Sequence, residues 1–376
     1  PFRLSNRIAF MKQLRIGIMG TRGVPNHYGG FEQFAAYLSA GLAARGHQVW
    51  VYNSNHHPYQ HKEWNAVHLI HCKDPENRIG TAGQFLYDLH CIKDACKRSF
   101  DVLLHLGYTS DALWYRRWPK HTVHLMNMDG LEWKRQKYNG LTRLYLKYAE
   151  KKAARHADVL IADSVAIQEY LQQAYGQNAA FIPYAARVFD SPDENIVKEF
   201  GLEPHAYYLL IARFVPENHL EMIIQGYLQT AQDLPLMVIG DHQNKMGRQL
   251  QKKYNHPGIL FKGSIYDMNK LDQLRYYSRI YFHGHSVGGT NPSLLEAMAC
   301  ACHIAAHDNP FNRAVLGEAA HYFSSAAAVT AILEAEQDAF VYKKWKEANL
   351  EKIRTLYHPD QIISAYEKLM SAACTK

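Results

Sequence analysis

Apolar positions along this chain switch repeatedly between a strand-like run and a helical spacing. Leu14 to Met19 is a short, mostly apolar run closed by Gly20, the pattern of a buried parallel strand. A polar, glycine-rich stretch from Gly20 to Gly30 follows. Phe31, Phe34, Ala35, Leu38 and Leu42 then recur at helical spacing until Gly46 stops the helix. Val49 to Tyr52 reads as the next strand, completing a βαβ opening. Asp101–His105, Val123–Met126, Val159–Ala162 and Ala180–Ile182 read as further strands, and Leu141–His156 as a basic amphipathic helix. Asp163-Ser164 caps a helix over Val165–Tyr175. From about Ala185 to Phe200 the periodicity fades and charge rises, which marks a boundary.

A second series begins with Tyr207–Ile211. Strands are expected again at Leu236–Ile239, Ile259–Phe261, Ile280–His283 and His303–Ala306. Helices are expected at Leu220–Thr230 and at Pro292–Cys302, the latter with proline in its first turn. Asp360–Met370 is a final amphipathic helix. Two such blocks predict an α/β protein with two Rossmann-like, doubly wound parallel sheets in residues 11–185 and 186–359. The 360–376 helix is expected to return to the N-terminal domain. A length of 376 residues fits two domains better than one.

Composition narrows the class. Hydrophobic content of 47% with 20% charged residues is that of a globular protein, and no apolar run reaches membrane-spanning length. Pro1 to Phe10 lack the apolar segment of a secretory signal. Met11-Lys12, just before the first strand, fits a natural start, so the preceding residues are kept out of the fold reading. Six scattered cysteines without a CxxC pair indicate free thiols in a reducing cytoplasm. His56, His57 and His61 lie in a polar loop with no spacing that fixes ligands, so no metal is expected.

The formal charge of +7 is unevenly placed. Lys134, Arg135, Lys137, Arg143, Lys147, Lys151, Lys152 and Arg155 crowd one segment against only Glu132 and Glu150. Such a segment calls for an anionic partner or surface. Its aromatic residues, Trp133, Tyr138, Tyr145 and Tyr148, follow the helical pattern and are assigned to packing, not to nucleic acid.

In doubly wound sheets ligands bind beyond the carboxyl ends of the strands, which singles out three loops. Gly20–Gly30 is not GxGxxG, yet Gly29 and Gly30 let backbone N–H groups approach an anion where the helix begins. Arg213 directly follows a strand and can fork onto a diphosphate. The third loop, His283–Ser293, runs from a strand through Gly288, Gly289, Thr290 and Asn291 into a helix. Its free N–H groups near Thr290–Ser293 are expected to form an anion site. Glu296 is a carboxylate in an otherwise apolar helical run, placed to accept hydrogen bonds from a ribose.

Together these features resemble family 4 glycosyltransferases, the GT-B type with two facing Rossmann-like domains, over nearly the whole chain from Met11. Gly29-Gly30, Arg213 and the stretch from Ser293 through Glu296 to Ala299 carry the family likeness. Three longer segments resemble a bacterial subgroup that includes rhamnosyltransferases of capsule and surface-polysaccharide synthesis. They are Gly20–Pro25 with Tyr28–Glu32, Asn127–Arg135, and His283–Ser293. Two positions depart from the wider family. Gly288 stands where a Glu holds donor-sugar hydroxyls, and Asn218 where a Lys shares the diphosphate.

The resemblance implies a nucleotide-sugar donor, dTDP- or UDP-linked, and a glycan or lipid-linked acceptor at the inner face of the membrane. Arg213 with the backbone of Gly289, Thr290 and Asn291 would hold the diphosphate, Glu296 the ribose, and Gly29 and Gly30 would close on the phosphate. Asp129 matches the position where relatives keep a His near the reacting sugar. Arg22, Lys134, Arg135, Lys147, Lys151 and Lys152 would form the acceptor or membrane side. The family is retaining, and no cofactor or metal is expected. A nucleotide-sugar 2-epimerase of the same architecture and a non-enzymatic nucleotide-sugar binding module are the alternatives.

Overall fold

A computed structural model describes residues 12–27, 29–128, 130–135, 138–231, 233–336 and 338–375. The start proposed at Met11 and the residues before it, Tyr28, Asp129 and Lys137 lie outside the described residues.

Among the described residues, fourteen strands form two sheets. The first sheet uses β1 (Arg15–Met19), β2 (Gln48–Ser54), β3 (Glu63–Trp64), β4 (Val67–Cys72), β5 (Val102–Leu106), β6 (Val123–Asn127), β7 (Val159–Ala162) and β8 (Ala179–Phe181). Its order is β3-β4-β2-β1-β5-β6-β7-β8. β1 is central and parallel to both neighbours, with Ile16 opposite Val49 on one side and Val102 on the other. The β3–β4 edge hairpin is antiparallel. The second sheet uses β9 (Tyr208–Ile211), β10 (Leu236–Ile239), β11 (Ile259–Lys262), β12 (Ile280–His283), β13 (Ile304–His307) and β14 (His321–Phe323). Its order, β11-β10-β9-β12-β13-β14, is parallel throughout. Chain order reverses between β9 and β12, so these neighbours flank the switch point at which such sheets take ligands.

The helices expected from spacing are present. Gly30–Ala44 buries Phe34, Ala35, Leu38 and Leu42. Ser164 caps Val165–Tyr175 by accepting from the Ile167 N–H at 3.3 Å. Pro292–Ala299 is shorter than expected and ends at Cys300. No described helix is long and apolar enough to cross a membrane.

Packing divides the chain into two compact units that do not follow chain order. One comprises residues up to Met128, Ala149–Ile161 and the chain from Ile363 onward. The other comprises the stretch between Met128 and Ala149 together with Ala162–Ile362. In the first unit the terminal helix is built into the core. Tyr366 is fully buried against Phe34, and Asn127 Nδ2 donates to its hydroxyl at 3.3 Å. Gly41 leaves the space that Ile363 fills, since a Cβ there would stand 2.3 Å from Ile363 Cδ1. Glu367 bridges Arg45 at 2.7 Å and His47 at 3.0 Å, and the other His47 nitrogen receives the Leu14 N–H. The second unit has its own core of Tyr208, Leu210, Leu236, Val238 and Phe282 under Ile223, Ile224 and Val329.

Burial pushes the Glu367 carboxyl up, but the bonds from Arg45 and His47 outweigh it and hold the group below its usual value. Its stabilising contribution is therefore present above the unfolded carboxyl pKa and is lost as pH falls through the lower folded value. Glu367→Gln should lower stability by about 1–3 kcal/mol near neutrality. Denaturant titrations from pH 7 down to pH 3 check this, with the gap between the two proteins closing on the acid side.

Candidate functional site

Two loops of the second unit interlock at the carboxyl ends of β9 and β12. After β9 the chain exposes Arg213 and turns through a short 3-10 helix, Pro216–Asn218. Asn218 is buried, and its Nδ2 donates to the Arg213 carbonyl at 2.8 Å. The Asn218 amide thus braces the arginine loop and brings no charge. After β12, Ser286 donates from both N and Oγ to the Glu217 carbonyl, each at 3.0 Å. Gly284 passes so close that a Cβ would lie 2.0 Å from the Asn218 carbonyl oxygen. The Glu217 carboxylate is buried and takes no hydrogen bond from another described residue.

The glycine loop then enters the helix Pro292–Ala299. Gly288 has φ +132°, a left-handed conformation suited to glycine. Asn291 Oδ1 caps the helix by accepting the Ser293 N–H at 2.9 Å, so that donor, counted among the free ones from sequence, is already satisfied. The N–H groups of Gly289, Thr290 and Asn291 find no acceptor among the described residues. The Thr290 hydroxyl donates to the Asp163 carbonyl at 2.5 Å, and a Cβ on Gly289 would collide with the Asp163 carboxylate. Asp163 was read from sequence only as part of a helix cap; its place beside this loop follows from tertiary packing.

Glu296 sits one turn into the helix between buried Leu294, Leu295, Ala297 and Met298. Its Oε2 accepts from Arg275 Nη2 at 2.5 Å, while Oε1 takes no hydrogen bond from another described residue. Burial pushes the carboxyl up and the Arg275 charge opposes it, leaving the group above its ordinary value. Arg275, on the helix Met268–Tyr276, is 1% exposed and also bonds Asp272 at 2.8 Å. Sequence reasoning missed Arg275. The available signal was the Asp272–Arg275 spacing of three, together with a carboxylate in an apolar run that needs a counter-charge.

Histidines line the ends of the same strands. His283 and His285 stack at 4.4 Å, and His219 meets His307 at 4.1 Å. Burial holds His283 neutral. Burial together with the charges of Arg213 and Arg135 lowers His285 to about 3.

The remaining basic candidates divide. Arg135 Nη2 pairs with Glu132 Oε1 at 2.5 Å. Lys134 and Lys147 lie over the Trp133 ring, 5.5 and 4.1 Å from its centroid. In the helix Gly140–His156, Leu141 and Leu144 are 81% and 68% exposed, beside exposed Arg143, Lys147, Tyr148 and Lys151. Lys152 instead lies 5.1 Å from the centroid of the Tyr115 ring.

In the first unit Arg22 is held bidentate by Glu76, from 2.6 to 3.2 Å. Gly29 precedes the helix Gly30–Ala44, whose start already faces the buried Glu32 carboxylate. That carboxylate accepts the Arg22 N–H at 3.0 Å and would lie 3.4 Å from a Cβ on Gly29. His56 and His57 turn to separate backbone carbonyls, of Asp74 and Pro25. No cluster of three metal-ligating side chains occurs among the described residues. Asp129 is not among them.

Comparisons with known proteins divide the chain in the same sequence order as the sheets. Residues 13–187 match a domain of unknown function (DUF1972), and residues 192–352 match the family Glycosyl transferases group 1. No curated protein matches in sequence. Among solved structures, sucrose-phosphate synthase from Thermosynechococcus elongatus is 18% identical, with 96% of this chain and 100% of that one covered and a TM-score of 0.78. HepE from Anabaena, in complex with UDP-glucose, is 14% identical over 96% and 100% of the two chains, with a TM-score of 0.74. Trehalose 6-phosphate synthase from Burkholderia multivorans is 11% identical over 97% of each chain, with a TM-score of 0.69. The fold is that of GT-B glycosyltransferases, and residues 192–352 match the glycosyl transferases group 1 family, which together support a GT-B glycosyltransferase.

Proposed function

We propose that this chain transfers a sugar from a nucleotide diphosphate to a glycan or lipid-linked saccharide in surface-polysaccharide synthesis, with residues 11–185 as the acceptor-side half and 186–359 as the donor half. The observation that carries the reading is the meeting of three features at the ends of β9 and β12. They are an exposed Arg213, a glycine loop with unclaimed N–H groups, and a Glu296 pinned through one oxygen by Arg275. The HepE structures with UDP and UDP-glucose support a nucleotide-sugar ligand for this architecture.

Departure of a nucleoside diphosphate needs its growing charge stabilised while the sugar becomes oxocarbenium-like. Arg213 and the N–H groups of Gly289, Thr290 and Asn291 contribute to that field, and the charge is to be met by protein groups, not by a metal. Glu296 Oε1 accepts the ribose hydroxyls while Oε2 stays on Arg275. Asp129 remains the proposal for orienting the acceptor hydroxyl. Retention, with the leaving phosphate taking the acceptor's proton, follows the family resemblance. The subgroup resemblance, together with Gly288 in place of a sugar-binding carboxylate, favours L-rhamnose from a dTDP donor over a UDP-hexose. Exposed Leu141 and Leu144 among Arg143, Lys147 and Lys151 suit peripheral docking on an anionic bilayer at the cytoplasmic face.

Transfer assays with a panel of nucleotide sugars and acceptors test the activity. Acceptor-dependent product from dTDP-rhamnose is expected. Transfer from UDP-glucose alone would reject the rhamnose assignment, and epimerised donor formed without acceptor would mark the epimerase. Arg213→Ala should lower kcat by roughly a hundredfold or more, whereas Glu296→Gln should act mainly on the donor KM. Wild-type kcat in the Arg213 variant removes that residue from the mechanism. For the membrane, the triple variant Leu144→Asp, Lys147→Glu, Lys151→Glu should lose co-sedimentation with anionic liposomes at low salt and keep its donor affinity. Equal sedimentation of variant and wild type would rule the docking face out.

A further inference from the structure

Position 218 leaves the diphosphate site short of a cation, because Asn218 is buried and committed to the Arg213 carbonyl. Arg213 alone offsets only part of the charge of a nucleoside diphosphate. A second guanidinium lies in the same compact unit. The turn that begins at Gly130 rests on the glycine loop, where a Cβ at Gly130 would stand 2.9 Å from the Gly288 Cα. It winds through the short helix Glu132–Lys134 into Arg135. The charge of Arg135 acts on His285 and Tyr138, the same two groups on which the charge of Arg213 acts. Arg135 and its partner Glu132 are 16% and 11% exposed in their side chains, so this is an enclosed pair and not a surface bridge. Lys134 and Lys147, by contrast, lie over the Trp133 ring.

We propose that Arg135 is the second phosphate-binding cation of the donor site, supplying the charge that position 218 lacks, with Glu132 as its counter-ion while the site is empty. The assignment rests on reading this site as a nucleotide-sugar site. It moves Arg135 from the acceptor or membrane side to the leaving group. The planar fork of a guanidinium suits phosphate oxygens, and a carboxylate held beside it keeps the cation compensated before the ligand arrives. Arriving phosphate oxygens then share or replace Glu132. His285, held neutral by burial and by the charges of both arginines, adds no charge of its own and leaves the clamp to them.

Calorimetric titration with UDP and dTDP, and with the matching monophosphates, tests this on the full chain. The variants are Arg135→Lys and the double variant Glu132→Gln, Arg135→Met. The double change removes both charges of this pair together, and unliganded thermal melting monitors folding. The double variant should lose at least about tenfold in affinity for whichever diphosphate the wild type binds, the monophosphate should lose much less, and Arg135→Lys should recover part of the loss. Wild-type affinity in the double variant, or equal losses for mono- and diphosphate, overturns the role of Arg135 while leaving the site reading intact. A wild type that binds neither diphosphate overturns the site reading itself.

Discussion

A guanidinium shut away from water has to be answered by carboxylates, and Arg275 organises the second unit around that demand. Its side chain reaches Asp272 on its own helix and Glu296 on another, and its carbonyl accepts from the Ser278 hydroxyl and the Cys302 thiol. One residue therefore ties the helix Met268–Tyr276 to the helix Pro292–Ala299 and to the chain entering β13. Removing either charge of such a pair typically costs about 3–5 kcal/mol, because the survivor is left uncompensated. The same pairing orients Glu296, so the carboxylate assigned to the ribose is positioned by the core and not by its exposed surroundings.

The two positions that set this chain apart from the family it resembles both serve loop geometry. Gly288 holds φ +132°, a conformation that a glutamate adopts only under strain. Restoring a carboxylate there would mean re-laying the glycine loop against Gly130, whose missing side chain makes room for it. Asn218 is likewise set into its loop, with Gly284 packed on its carbonyl and its amide on Arg213. Both positions serve loop geometry here, which moves the burden of recognising the ligand to other residues.

Much of this was legible in the chain. Strands buried on both faces read as apolar runs, and Ser164, Asn291 and Pro292 mark their helix starts by capping chemistry. β4 escaped because His68 and His71 interrupt its apolar positions near a sheet edge, and β14 because His321-Tyr322-Phe323 is too short to carry a period. Arg213 and Glu296 were singled out as candidates because each follows a strand end or breaks an apolar pattern. Arg275, and the place of Arg135 near His285, were not, because a pairing between distant segments has no local spacing. The pair of Arg22 with Glu76 was hidden for the same reason, since the two lie far apart along the chain.

The terminal helix also bears on biosynthesis. The first unit encloses Phe34 with Tyr366 and joins Arg45 to Glu367 across 322 positions. At about 5–20 residues per second of ribosomal elongation, on the order of 15–65 s separates the emergence of the two ends of that contact. During that interval the nascent first sheet carries an uncovered apolar groove beside Gly41, while the whole second sheet is being made. Completion of the earlier-made half therefore waits on a segment synthesised after the whole second sheet, and a chain truncated before Ile363 would keep that groove open for chaperones or aggregation.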